Sequence, residues 1–176
     1  MNIIAFAASN SQNSINKKLV SFALNQLTAE QKILLDLNDF NAPIYSVDLE
    51  SESGIPHAIK AFSHYIENAD LILISLAEHN GSYTAVFKNL FDWLSRYKSK
   101  CFEGKKVILF STSQGVRGGK SVMDSALIRF PIHGAEILGH LCVPKFDQSF
   151  DINLGIVDPL IKSEFDRLIQ TAVEFE

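Results

Sequence analysis

The chain has only two cysteines, Cys101 and Cys142, far apart and outside any CxxC pattern. Both are expected to be structural thiols, with no disulfide and no metal site. No apolar run approaches the roughly 18 residues that span a membrane, so no membrane insertion is expected. The amino terminus lacks a basic stretch leading into an apolar one. That argues against a signal peptide and makes the cytoplasm the default location. Basic charge is not in excess: 16 Lys and Arg stand against 20 Asp and Glu, a formal net charge of −4. Nucleic-acid binding favours a basic face and is disfavoured here. No P-loop signature occurs and no GxGxxG, so a mononucleotide P-loop is excluded and a Rossmann dinucleotide site disfavoured. Acidic residues are also missing from the start of the chain, where none precedes Glu30.

What is present is alternation. The 176 residues, 47% hydrophobic, fit one domain spanning residues 1–176 with one sizeable core. Ile3 to Ala8 is apolar on both faces, as a strand of a parallel sheet requires. Ser14 can cap a helix running to about Leu27, with Leu19, Phe22, Ala23 and Leu27 inward. Lys32 to Leu37 reads as a second strand. Asn38 to Gly54 reads as a long, solvated loop. Pro56 opens a helix to about Asn68. Leu71 to Leu76 is a third strand, and Thr84 to about Tyr97 an amphipathic helix with Val86, Leu90, Trp93 and Leu94 inward. Val107 to Ser111 is a fourth strand, followed by a helix from about Lys120 to Ile132. Glu136 to Val143 is a fifth, interrupted by Gly139 and His140. A last helix starts at Asp158 and Pro159, with Leu160, Phe165, Leu168, Ile169 and Val173 as its buried face. Crossovers of this length imply parallel strands and right-handed connections. The expected fold is α/β: a flavodoxin-like, doubly wound, five-stranded parallel sheet in the order 2-1-3-4-5, with helices on both faces.

In that order the loops after strands one, three and four converge on one crevice, where open α/β sheets bind ligands. The first loop holds Ser9, Ser11, Ser14, Ile15 and Asn16 at a helix N-terminus. Hydroxyls, amides and free backbone N–H groups there suit an anion. Lys17 and Lys18 sit in the first helical turn, where the helix dipole disfavours cations, and a bound anion would relieve that mismatch. The competing reading makes Ser14 an ordinary N-cap. The second loop, from Ala77, runs Glu78, His79, Asn80, Gly81. Asn80 and Gly81 suit a turn with positive φ that exposes backbone groups to a flat polar ring. His79 could lie against such a ring or be simply solvated, and Glu78 has no visible partner as a general base. The third loop contains Ser113, Gln114, Gly115, Gly118 and Gly119. Glycines there let backbone approach a ligand and leave its face open. Arg117 and Lys120 could meet dinucleotide phosphates or be plain surface charges.

These loops resemble the motifs of the NADPH-dependent FMN reductase family. The family's G-S-x-R-x-x-S-x-N is matched at Ser9, Ser14 and Asn16, with Ala8 and Ser11 replacing its glycine and arginine. P-E-Y-N-G-S followed by L-K-N-x-x-D-W is matched at Glu78, Asn80, Gly81, Ser82, Lys88, Asn89, Asp92 and Trp93, with Ala77 and His79 replacing proline and tyrosine. S-x-G-x-x-G-G is matched at Ser113, Gly115, Gly118 and Gly119. The resemblance implies FMN as cofactor and NADPH or NADH as electron donor. Ser9, Ser14 and Asn16 would hold the phosphate. Glu78, Asn80 and Gly81 would line the flavin, and Ser113 and Gly115 would flank its ring. A quinone, azo compound or similar small molecule would accept the electrons, and the assembly would be a homodimer or homotetramer. No side chain is assigned as a catalytic acid or base, since the cofactor carries the chemistry. A flavodoxin-type electron carrier and a binding protein of this fold without FMN stand as alternatives. A phospho-receiver domain is rejected, because the first strand ends in Ala7-Ala8-Ser9 with no acidic pair.

Overall fold

The computed structural model describes residues 1–173. Its strands are β1 (Asn2–Ala8), β2 (Gln31–Leu35), β3 (Leu71–Leu76), β4 (Glu78–His79), β5 (Ser82–Tyr83), β6 (Lys105–Thr112), β7 (Ala135–Val143), β8 (Phe150–Asp151) and β9 (Gly155–Ile156). Its helices are α1 (Ile15–Gln26), α2 (Val47–Ser53), α3 (His57–Asn68), α4 (Ala85–Tyr97), α5 (Lys120–Ile132), α6 (Phe146–Ser149) and α7 (Pro159–Val173). The main sheet runs β2-β1-β3-β6-β7, all parallel. This is the expected flavodoxin-like order, with β6 and β7 as its fourth and fifth strands. Strand side chains alternate between faces with period two. Ile3, Ala5 and Ala7 therefore pack with Leu19, Val20 and Ala23 of α1 and Phe165 of α7. Ile4, Phe6 and Ala8 pack on the other face, in the cluster that includes Phe62 of α3, Phe87 and Trp93 of α4, and Phe130 of α5.

Several boundaries and faces differ from expectation. The second strand ends at Leu35, because Asp36 accepts from the N–H of Asn38 (3.0 Å) and caps a 3-10 turn over Leu37–Asp39. The segment to Gly54 is more ordered than a solvated loop. Ser46 caps α2 through the N–H of Leu49. Asn89 Oδ1 accepts from the Tyr45 N–H at 2.8 Å, and its amide donates to the carbonyls of Ala42 and Pro43. Trp93 Nε1 adds a bond to the Pro43 carbonyl at 2.8 Å. Two residues of the Lys88–Trp93 motif thus pin the segment. Phe87 and Phe91 join Leu90, Trp93 and Leu94 as buried residues of α4, and Val86 is half-buried against the same cluster. In α1, Val20 and Leu24 are buried while Phe22 is half-buried.

β7 runs unbroken through Gly139. The register shifts between Val107 and Ile108, paired with Ile137 and Gly139, so Leu138 is the extra residue of a bulge. A Cβ at Gly139 would lie 2.3 Å from Leu168 Cδ2, so this glycine admits α7 rather than breaking the strand. In α7 the buried residues are Phe165, Leu168 and Ala172. Leu160 (81% exposed) and Val173 (43%) fall off that stripe, and Ile169 is half-buried at its edge.

Candidate functional site

β1, β3 and β6 end side by side, with Ala8 paired to Leu76 and Leu76 to Ser111. The three polar loops leave from these positions and are braced to one another.

In the first loop, Ser9 Oγ accepts from the Ser11 N–H at 3.2 Å, and the Ser11 carbonyl accepts from the Ser14 N–H. Ser14 is buried and caps α1, its hydroxyl accepting from the Lys17 N–H at 3.2 Å. The N–H groups of Ile15 and Asn16 occupy the first helical turn, where no intrahelical acceptor exists. The Asn16 side chain is committed inward. Its Oδ1 accepts from Ser75 Oγ (2.8 Å) and the Thr112 N–H (3.0 Å), while Nδ2 donates to the Thr112 carbonyl (3.2 Å). Asn16 therefore joins the ends of β3 and β6 to the first loop, and only its backbone remains to meet a phosphate.

The expected charge mismatch at Lys17 has a resident answer. Lys17 pairs with Asp36 at the end of β2. Lys17, with the Asn38 N–H, holds the Asp36 carboxyl below the ordinary carboxylate range. Asn38 in turn donates to Asp36 and to the Asn10 carbonyl (3.2 Å), steadying the first loop from the sheet edge.

The second loop is a two-strand hairpin, β4 and β5, with Asn80 (φ 51°) and Gly81 (φ 74°) at its turn. That is the Asn-Gly signature of a tight hairpin. Ala77 is buried, whereas His79 and Asn80 are exposed at the tip. The Glu78 carboxylate has a structural partner that the sequence did not show: its Oε2 accepts from the Val122 N–H at 2.9 Å. Val122 lies in the first turn of α5, whose N-cap, Gly119, has no side chain to offer. The second loop thus caps the helix that follows the third. Thr84 caps α4 through the Phe87 N–H and also donates to the Ala8 carbonyl at 2.8 Å.

In the third loop Gln114 and Gly115 are exposed, and a Cβ at Gly115 would meet only Ser113 Oγ, at 3.6 Å. Gly118 and Gly119 have a packing role that the sequence did not show. A Cβ at Gly118 (φ 58°) would lie 2.8 Å from backbone atoms of Val143 and Pro144. At Gly119 (φ 81°) it would lie 3.0 Å from Ser111 Cβ. Both let the loop seat closely on the strand ends. The Ser113 and Gly115 carbonyls accept from Phe146 and Lys145, so the loop after β7 backs the third loop. Arg117 and Lys120 bond locally, to Ser121 and Asp124.

Sequence reasoning missed Asp36, Asn38, Ser75, Thr84 and Thr112 as residues that hold the loops. Thr84, placed just before an apolar-periodic helix, is legible as a cap. The others hold the loops through contacts distant in sequence, apart from the local bonds between Asp36 and Asn38.

A parallel sheet in this order, with polar loops gathered at its carboxyl end, defines a flavodoxin-like α/β protein. The sequence model of the NADPH-dependent FMN reductase family matches residues 1–147, and the chain belongs to that family. An uncharacterized protein of Mycoplasma pneumoniae, MG342 homolog, is 31% identical over 154 residues, covering 85% of this chain and 90% of that protein. The quinone reductase of Escherichia coli is 38% identical over 77 residues, 44% of this chain and 41% of the reductase. Among solved structures, FerB, a flavoenzyme NAD(P)H:(acceptor) oxidoreductase from Paracoccus denitrificans, has the same fold. Its TM-score is 0.74 over 98% of this chain and 97% of that one, at 20% identity. Among the described residues no helix is long and apolar enough to cross a membrane.

Proposed function

We propose that this chain is an FMN-dependent NAD(P)H oxidoreductase that passes electrons to a quinone, azo compound or similar small acceptor. The observation that carries this reading is the cross-braced meeting of three polar loops at the ends of β1, β3 and β6. The donor set suits a flavin phosphate. Ser9, Ser11 and Ser14 offer hydroxyls, Ile15 and Asn16 offer backbone N–H groups, and the Asp36 carboxylate is already paired with Lys17. Ala77, Glu78, His79, Asn80 and Gly81 would border the ring on one side, largely through backbone. Ser113, Gln114, Gly115 and Gly118 form the other border, with Gly118 setting the course of the loop from beneath.

Bound FMN would supply the hydride and electron transfer. The chain's part is to position it and to leave one face accessible. Glu78 caps α5, a structural role in keeping with a site that needs no side-chain acid or base. The exposed stretch from Gln114 to Arg117 and the hairpin tip at His79 and Asn80 leave room for a nicotinamide and then an acceptor to come and go. The same proposal includes a single domain, a cytoplasmic location and a homodimeric or homotetrameric assembly.

The test is spectroscopic. The purified protein should carry a flavin band near ~450 nm and release FMN on denaturation. NADH or NADPH should bleach that band without a partner protein, and a soluble quinone should restore it over repeated cycles. If a chemical reductant bleaches it but neither nicotinamide does, the chain is an electron carrier. If no flavin binds, the reading fails.

A further inference from the structure

Arg117 stands in the exposed part of the third loop, just beyond Gly115. Among the described residues its guanidinium makes one hydrogen bond, Nη2 donating to Ser121 Oγ at 2.9 Å, and no ion pair. A guanidinium carries a fork of N–H donors and a permanent charge, so most of its donors and all of its charge are left unanswered. The charged groups near it in the chain are engaged elsewhere. Lys120 Nζ holds both Asp124 oxygens, at 2.8 and 3.0 Å. Glu78 accepts from the Val122 N–H.

The bond to Ser121 fixes where this charge sits. A Cβ at Gly81 would lie 3.9 Å from Ser121 Cβ and 4.0 Å from Ser121 Oγ. Ser121 therefore lies against the Asn80–Gly81 turn, and the guanidinium bonded to it stands where the second and third loops meet. Ser121 belongs to the first turn of α5, the same turn that Glu78 caps. The hairpin, the start of α5 and Arg117 thus form one braced corner of the crevice.

On the flavin reading, on which this inference rests, that corner borders the ring. A hydride is two electrons and one proton. A neutral ring that takes one from NAD(P)H, which leaves as NAD(P)⁺, gains one unit of negative charge. Passing the hydride equivalent to a quinone, with a second proton from water, makes the ring neutral again. A fixed cation close by favours the negative form, and charge beside the ring is one of a protein's means of tuning a cofactor. We propose that Arg117 offsets the negative charge that hydride transfer places on the ring, and so raises the potential of the bound flavin.

Potentiometric titration of the FMN-bound protein at neutral pH, with no nicotinamide present, tests this. Arg117→Gln should lower the two-electron midpoint by about 30 mV, a tenfold change in the equilibrium. Arg117→Lys keeps the charge and should keep most of the potential. Affinity for oxidised FMN should match the parent's in both variants, because the oxidised ring carries no charge for Arg117 to meet. Salt screens an exposed charge, so the gap between the parent and Arg117→Gln should narrow as ionic strength rises from about 0.01 M to about 1 M. Arg117 is exposed, so both variants should melt as the parent does. An unchanged midpoint in Arg117→Gln would overturn the proposal, even with a raised KM for NAD(P)H, which would make Arg117 a phosphate contact instead. So would a fall in Arg117→Lys as large as that in Arg117→Gln, since the Ser121 bond rather than the charge would then be responsible. A parent protein that binds no FMN brings down the flavin reading itself, and this inference with it.

Discussion

The carboxylate of Glu78 accepts a hydrogen bond from the backbone N–H of Val122 at 2.9 Å, so the loop after β3 caps the helix that follows β6. Helix α5 begins at a glycine with no side-chain cap of its own. Glu78→Ala should therefore cost about 1 kcal/mol, as loss of a cap does. Glu78→Gln keeps an acceptor oxygen and should cost less. Denaturant unfolding of the two variants measures the difference. If Glu78→Ala unfolds like the parent while NAD(P)H oxidation stops, Glu78 takes part in the chemistry and the capping account is wrong.

Ser14 has two roles in the proposed site. Its hydroxyl caps α1, and in the flavin-bound protein it would also donate to the phosphate. Ser14→Ala should cost about 1 kcal/mol of stability. It should also weaken FMN more than riboflavin, because riboflavin has no phosphate to lose a charge-assisted bond. Equal weakening of both flavins in a titration would remove Ser14 from the phosphate site and leave it as a cap.

The glycines of the third loop should separate cleanly. At Gly118 a Cβ would lie 2.8 Å from backbone atoms at φ 58°, so Gly118→Ala should destabilise by about 2 kcal/mol or more. At Gly115 the Cβ space is open and φ is not positive, so Gly115→Ala should fall within about 0.5 kcal/mol of the parent. Gly115→Val, if FMN still binds, should slow flavin bleaching by crowding the ring. Melting curves that rank the two alanine variants the other way would mean the loop is seated differently.

The Lys17–Asp36 pair predicts a pH effect of definite sign. Lys17 and the Asn38 N–H lower the folded-state pKa of Asp36. The resulting stability is present above the unfolded carboxyl value, about 3.9, and is lost as pH falls through the lower folded value. Asp36→Asn should remove that part of the acid-side slope and lower stability by a pH-independent amount on the neutral-to-alkaline side. Unfolding free energies at several pH values below about 5 test this. An unchanged acid slope would mean the pair contributes nothing measurable, as many solvent-accessible pairs do.

The fold was legible because its signals are local and periodic. Strands such as Ile3 to Ala8, apolar on both faces, and helices such as α4 with a single inward stripe specify a parallel sheet covered on both sides. The Asn80-Gly81 turn and the Ser14 cap could be read from single residues, since each depends on backbone geometry within a few positions. Errors arose where a distant contact decides. Leu160 and Val173 look like core residues of α7, but the helix presents Phe165, Leu168 and Ala172 to the sheet. Gly139 looks like an interruption, but Leu168 requires it.

By itself the sequence determined the class of architecture, the sheet order and the three loops that gather at one end. Periodicity and loop chemistry act over a few residues and leave their mark in the chain. Only the tertiary structure decided how those loops are held and what remains free for a ligand. Asn16 is spent on Ser75 and Thr112, Glu78 on Val122, and Lys17 on Asp36. Gly118 and Gly119 let the third loop pack closely on β6 and the end of β7. A hydrogen bond between residues up to 96 positions apart leaves no trace in either local sequence. It exists only once the sheet has brought the strand ends together, and it then leaves the Asn16 side chain committed to the strand ends.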